Sequence, residues 1–158
     1  MQTTIITNLK SMITGTYKTI TSEIIKDQTI AQENIAGGKF EKVVFENVIF
    51  IDCEFQSTVF NKTKFIDCKF VNCNFSFTKL NDCNLIACKF ENCNFCITNS
   101  LNCNFLSCTY INNSWEESSN NGTFHNCNIE FLERTNMEIT LTREALPLSL
   151  NNLELCVA

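Results

Sequence analysis

The chain has 158 residues, 44% of them hydrophobic, and a formal net charge of −5. That length and apolar content suffice for one compact body with its own core, independent of bridges or metals. No run of about 18 apolar residues is present to form a membrane-spanning helix, and the mildly acidic balance excludes the basic footprint of a nucleic-acid binder.

The N-terminus carries neither a basic n-region nor an unbroken apolar stretch, so a soluble protein of the reducing cytosol is expected. Within residues 1–35, Ile5, Ile6, Leu9, Met12, Ile13, Tyr17, Ile20 and Ile24 recur at helical spacing. The spacing predicts an amphipathic helix or broken helical pair, packed as an N-terminal cap on the body of the chain. Threonine-rich composition weakens its intrinsic propensity, so packing must supply its stability.

From Phe40 to Tyr110 a large residue falls on nearly every fifth position: Phe through Phe75, then Leu80, Leu85, Phe90, Phe95, Phe105 and Tyr110, with Ser100 out of step. Two residues before each sits a small side chain, as in Val43, Thr58, Cys68 or Cys103. A period of five fits neither the helical 3.6 nor the strand 2.0, and it indicates a repeat architecture. Written in rows of twenty, the small residues sort by chemistry into Thr58/Thr78/Thr98, Cys53/Cys73/Cys93, Cys68/Cys88/Cys108 and Cys83/Cys103. A square coil of twenty residues explains the sorting. Successive laps would then lie about 4.8 Å apart, bonded like paired strands, with the large side chains stacked inside.

Nine of the eleven cysteines occupy this small slot interchangeably with Thr and Val. Such a slot selects volume, since free Cys behaves as a small buried hydrophobe. The C-x4-C spacing matches no zinc pattern, and no metal or redox role is expected.

Units such as Asp67-Cys68-Lys69-Phe70, Asn72-Cys73-Asn74-Phe75 and Asn92-Cys93-Asn94-Phe95 resemble the pentapeptide repeat family, whose pattern is A(D/N)LxX. The resemblance implies an all-β solenoid, a right-handed quadrilateral β-helix, here spanning residues 36–140. It also implies two classes of role: protein-interaction scaffold, or imitation of duplex DNA in the DNA-binding saddle of gyrase.

Ile111 to Gly122 is polar and rich in turn formers, which predicts a loop bulging from the coil at 111–122. The pattern resumes with Phe124, Cys127, Ile129, Leu132, Met137 and Ile139 as inward candidates. Residues 141–158 read as a closing or dimerising segment: a short helix around Thr142 to Leu146, then two short strands about Asn151-Asn152.

Charge bears on the choice between the two roles. Residues 36–110 balance seven lysines against seven acids, and the whole net charge lies in 111–158. DNA mimicry needs acidic side chains along the rod, so a non-catalytic interaction scaffold is the primary expectation and gyrase binding the alternative. A single histidine, His125, without an organised partner argues against catalysis, and no cofactor is expected. The candidate interaction surface consists of outward apolar residues in two columns: Ile66, Ile86 and Leu106, and on the adjacent side Ile51, Val71 and Ile111. The expected partner is an unidentified protein, without direct nucleic-acid or membrane contact. The chain is expected to be a monomer, or a homodimer through its C-terminal end.

Overall fold

The computed structural model describes residues 16–135 and 138–145, with side chains through residue 130. The chain winds into a solenoid of about six laps. Each lap brings a residue over the one twenty positions earlier, as Phe60 over Phe40, Phe70 over Phe50 and Leu85 over Phe65. All pairing between laps is parallel, and backbone bonds such as Lys89 N–H to the Cys68 carbonyl at 2.9 Å hold the laps together.

Four walls result. The first is a six-stranded parallel sheet running from Thr19–Thr21 through Lys39–Glu41, Val59–Asn61, Lys79–Asn81 and Asn99–Leu101 to Ser119–Asn120. The second and third walls belong to one larger sheet, because Ile24–Ala31 and Val44–Ile51 each continue around the corner between them. The second wall continues with Lys64–Ile66, Asn84–Ile86, Asn104–Leu106 and Thr123–His125, and the third with Lys69–Val71, Lys89–Glu91, Thr109–Ile111 and Asn128–Thr135. The fourth wall is a ladder of single bridges from Asn34 through Glu54, Asn74 and Asn94 to Ser114. There the backbone folds into tight turns, with Thr58 N–H bonded to the Phe55 carbonyl and Thr78 N–H to that of Phe75.

The corners explain the (D/N) position of the repeat. From Tyr17 to Glu117 every fifth residue takes the left-handed backbone conformation, with φ between 50° and 68°. Asn and Asp tolerate that region best among non-glycine residues, and they hold nine of these corners, from Asp27 to Asn112. Their side chains also bond across laps, as Asn72 Nδ2 to Asp52 Oδ1 at 3.0 Å and Asn112 Nδ2 to Asn92 Oδ1 at 2.8 Å. At Gly37 a Cβ would meet the Tyr17 ring at 2.6 Å, so a larger residue at that corner would displace this exposed ring.

Inside, the large residues form columns of rings. Phe50, Phe70, Phe90 and Tyr110 stack at successive centroid distances of 5.0, 4.8 and 5.1 Å. Phe55, Phe75, Phe95 and Trp115 do the same on the fourth wall. Neighbouring walls meet edge to face, as Phe70 against Phe75 at 69°. Each fully buried ring contributes about 1.5–3 kcal/mol of transfer free energy, and the offset and T-shaped pairs add to it.

The small slot does more than save volume. Thr58, Thr78 and Thr98 each donate Oγ1 to the carbonyl of the inward residue one lap back, at 3.1, 2.9 and 2.7 Å. The slot cysteines donate Sγ–H in the same geometry, as Cys68 to the Phe45 carbonyl and Cys88 to that of Phe65, both at 3.4 Å. The slot therefore prefers a small donor, and Cys and Thr are interchangeable on both counts.

Three sequence expectations are corrected. Residues 16–35 are not helical: they form the first lap, with Ile20, Ile25, Ile30 and Ile35 buried as its inward residues. The five-residue spacing of these isoleucines outweighs their partial match to a helical period; the remainder of the proposed helical cap, residues 1–15, lies outside the described residues. Residues 111–122 are not a bulging loop. They complete a lap in which Ser114 bridges Asn94, Trp115 stacks on Phe95 at 4.4 Å, and Ser119–Asn120 pairs with Asn99–Leu101. One residue is lost at the next corner, so Phe124 lies over Phe105 at a register of nineteen. Gly122 makes this possible, because a Cβ there would approach the Cys103 carbonyl oxygen to 2.6 Å. Lastly, residues 142–145 are strand rather than helix: Glu138–Ala145 pairs antiparallel with Asn128–Thr135. Residues 146–158 lie outside the described residues.

Candidate interaction surface

Every wall presents two outward residues per lap, one on each side of its inward residue. On the second wall the residue after the inward one is Glu46, Ile66, Ile86, Leu106 and His125 in successive laps, paired directly in register. Ile66 and Ile86 are half-buried and Leu106 is 41% exposed. These three expected residues form an unbroken apolar ridge, closed at one end by Glu46 in its ion pair with Lys26 at 3.0 Å and at the other by exposed His125.

The other expected column is interrupted. Ile51 pairs with Val71, but Glu91 stands between Val71 and Ile111. Glu91 collects both Lys69, at 3.6 Å, and Lys89, at 3.5 Å. It thus relieves the repulsion of two lysines stacked on adjacent strands. The structure brings together Ile66, Ile86 and Leu106, and it separates Ile111 from Ile51 and Val71.

Two further exposed apolar residues lie outside both columns. Leu101, on the first wall, is 50% exposed, and Ile97, at the preceding corner, is 37% exposed. Ile97 has φ of 55° and is the only β-branched residue among the described left-handed corners. A β-branched residue in that region is a genuine outlier. Sequence reasoning passed over both. The signal for Ile97 was available, since its position is held elsewhere mostly by Asn, Asp, Ser or Lys. Phe77, 47% exposed, occupies the same corner one lap earlier.

The slot cysteines lie inside the coil. Nine of the ten described cysteines are buried and all ten are free, and among the described residues no group of three or more His, Cys, Asp or Glu is placed to hold a metal ion. Stacked thiols polarise one another within each column. At Cys73 the hydrogen bond with Cys53 lowers the pKa, but the bond with Cys93 and burial push it up to about 12. The hydrogen bond with Cys103 and burial raise Cys83, and bonds with Cys108 and Cys68, together with burial, raise Cys88. Their partners shift the other way: hydrogen bonds with Cys88, Cys73 and Cys83 lower Cys68, Cys93 and Cys103 respectively, and those with Cys127 and Cys88 bring Cys108 down to about 4. Burial inside the coil is what separates these thiols from outside reagents.

The model for the pentapeptide repeat region matches residues 43–131, which covers most of the coil described above. The chain belongs to the pentapeptide repeat family. Among solved pentapeptide repeat structures, QnrB1, a plasmid-mediated fluoroquinolone resistance protein, is similar at 19% identity over 75% of this chain and 53% of that chain, with a TM-score of 0.48. A pentapeptide repeat protein, Rfr23, from the cyanobacterium Cyanothece 51142 is similar at 11% identity over 65% of this chain and 87% of that one, with a TM-score of 0.42. This chain spans about half the length of the QnrB1 chain it resembles. No protein of curated description matches it. Among the described residues of this pentapeptide repeat protein, no helix is long and apolar enough to cross a membrane.

Proposed function

We propose that this pentapeptide repeat protein is a non-catalytic scaffold that binds another protein through the ridge of Ile66, Ile86 and Leu106. The observation that carries the reading is the direct in-register stacking of Ile66, Ile86 and Leu106. A rigid ladder fixes three apolar side chains in line, with adjacent strands about 4.8 Å apart, so little conformational entropy is lost when a partner docks. Contiguous exposed apolar surface on a soluble protein marks an interface more often than isolated apolar residues do.

DNA mimicry receives less support. A partner surface adapted to phosphates needs a dense negative rod, whereas residues 36–110 carry seven lysines and seven acids.

The test is a paired substitution, Ile86→Lys with Leu106→Lys, on the outward face where a long charged side chain leaves the core untouched. The folded variant, verified by an unchanged thermal midpoint, is expected to lose partners that the wild-type protein retains in a quantitative pull-down from its source cell. Equal recovery of the same partners by both proteins would sink the reading. A gyrase supercoiling assay at several salt concentrations addresses the alternative; sub-micromolar inhibition that weakens with salt would reverse the ranking.

A further inference from the structure

Two stacked pairs of lysines stand in different electrostatic settings. On the third wall Lys69 and Lys89 lie in direct register, and Glu91 bonds to both, at 3.6 and 3.5 Å. At the corner between the first and second walls Lys42 and Lys62 also lie one lap apart, their amides bonded to the Asn61 and Asn81 carbonyls at 2.9 and 2.8 Å. Lys39 and Lys79 on the first wall and Lys64 on the second surround that corner. All five are exposed, and among the described residues none of them forms an ion pair. The carboxylates beside them leave the charge uncompensated: Glu41 pairs with none of the five, and Asp82 accepts from Asn102 Nδ2 at 3.3 Å. Residues 1–15 contain no Asp or Glu.

Lys42 and Lys62 break two local rules together. They are the only lysines at the described left-handed corners, with φ of 56° and 50°, where Asn or Asp is the usual occupant. Asn would sit there with less strain, and like charges on adjacent strands repel. Neither choice helps the isolated fold, so both point to something that the lysines meet outside it. The neighbouring surface shows what that is. Lys64 and Ile66 flank the same inward residue on the strand Lys64–Ile66, so the lysine corner borders the apolar ridge. Beyond Ile66 stands exposed Asp67, and the ridge ends on Glu46. A nucleic acid carries a continuous row of phosphates that Asp67 and Glu46 would repel, and it has no side chains to cover the ridge.

We propose that the Lys42/Lys62 corner, with Lys39, Lys64 and Lys79, binds an acidic protein segment whose Asp or Glu side chains flank an apolar stripe. The carboxylates reach the lysines, and the stripe covers Ile66, Ile86 and Leu106. Because the unpaired lysines lie on one side of the ridge, they fix the direction in which the segment crosses the second wall, and they speed its capture at low salt. The stripe rests on the ridge reading given above; the carboxylate contacts do not.

The full-length protein is titrated into two fluorescein-labelled helical peptides that share a leucine stripe, one flanked by glutamates and the other by glutamines at the same positions, and anisotropy is read at low and high salt. Wild type is expected to bind the glutamate peptide roughly tenfold more tightly than the glutamine peptide at low salt, and to lose that preference at high salt. Lys42→Asn with Lys62→Asn restores the usual corner residue, so this variant is expected to unfold at a higher urea concentration while losing the preference. Lys64→Gln, at an outward strand position, is expected to lose part of it and keeps the comparison available if the corner variant does not fold. Equal affinity for the two peptides, or a preference unchanged in both variants, overturns the proposal and leaves the ridge reading standing. Unchanged binding of the glutamate peptide by Ile86→Asn with Leu106→Asn would instead remove the ridge reading and keep the lysine contacts. A labelled single-stranded oligonucleotide that binds wild type more tightly than the glutamate peptide would overturn the choice of a protein partner.

Discussion

Thr78 Oγ1 donates to the carbonyl oxygen of Phe55 at 2.9 Å, linking a small residue of one lap to the large inward residue of the lap before. The same link recurs from Cys53 to Ile30 through Ser118 to Phe95, with Asn113 using its amide Nδ2. It joins the two halves of the repeat pattern into one device. Substituting Thr78→Val keeps the shape and removes the donor, and is expected to lower the unfolding free energy by about 1–2 kcal/mol. Thr78→Cys keeps a weak donor and is expected to cost less. Equilibrium urea unfolding measures both; a valine variant as stable as wild type would mean that the slot selects volume alone.

Ile97 holds a left-handed corner at φ 55° that its β-branched side chain disfavours. Ile97→Asn, matching the neighbouring corners, is expected to stabilise the protein by about 1 kcal/mol through relief of that strain. The expectation is checked by the same unfolding experiment. Loss of partner binding alongside the gain in stability would show why an isoleucine is kept there.

Burial holds the Tyr110 phenol well above its usual pKa, with the neighbouring thiols of Cys108, Cys127, Cys88 and Cys103 adding to the shift. The folded state therefore keeps a proton that the unfolded chain releases near pH 10. Its contribution is complete below that pH and is lost as pH rises from about 10 toward the folded-state pKa. Tyr110→Phe removes this dependence. Relative to the variant, the wild-type protein is expected to lose about 1.4 kcal/mol per pH unit above pH 10, and parallel stability curves for the two proteins would contradict the assignment.

Phe70 touches rings above, below and on both sides, with Phe50 and Phe90 stacked on it at 5.0 and 4.8 Å. Phe70→Ala leaves a void that rigid laps cannot close, and is expected to cost about 3–5 kcal/mol. Thermal unfolding followed by circular dichroism measures the loss.

The tube was legible from Phe40 onward because inward size, slot chemistry and corner residue all repeat together there. The first lap was not, for a definite reason. Its inward isoleucines keep the spacing of five, but Lys18, Glu23, Gln28 and Glu33 stand where the small slot belongs, and Tyr17, Ile20 and Ile24 also satisfy a helical period. The lap ending at Gly122 was hidden differently. Its first-wall inward residue is Asn120, its slots are Asn113 and Ser118, and its corner is one residue short, so composition alone reads as loop. Of the surface, Ile66, Ile86 and Leu106 came directly from the beat, because their column repeats every twenty residues. That Glu91 splits the second column could have been read the same way. That Ser100 and Asn120 take the inward places of the first wall required coordinates, since the sequence marks only a break in the beat there.

A trans-hydrogen-bond scalar coupling, measured by NMR on isotope-labelled protein, tests the twenty-residue lap on which these inferences depend. The Lys89 amide donates to the Cys68 carbonyl at 2.9 Å and the Thr109 amide to the Cys88 carbonyl at 2.9 Å. Couplings from the Lys89 nitrogen to the Cys68 carbonyl carbon and from Thr109 to Cys88 are the expected result. Couplings from those amides to any other carbonyl would mean that the laps are not twenty residues long, and the stacked core and the surface ridge would fall together.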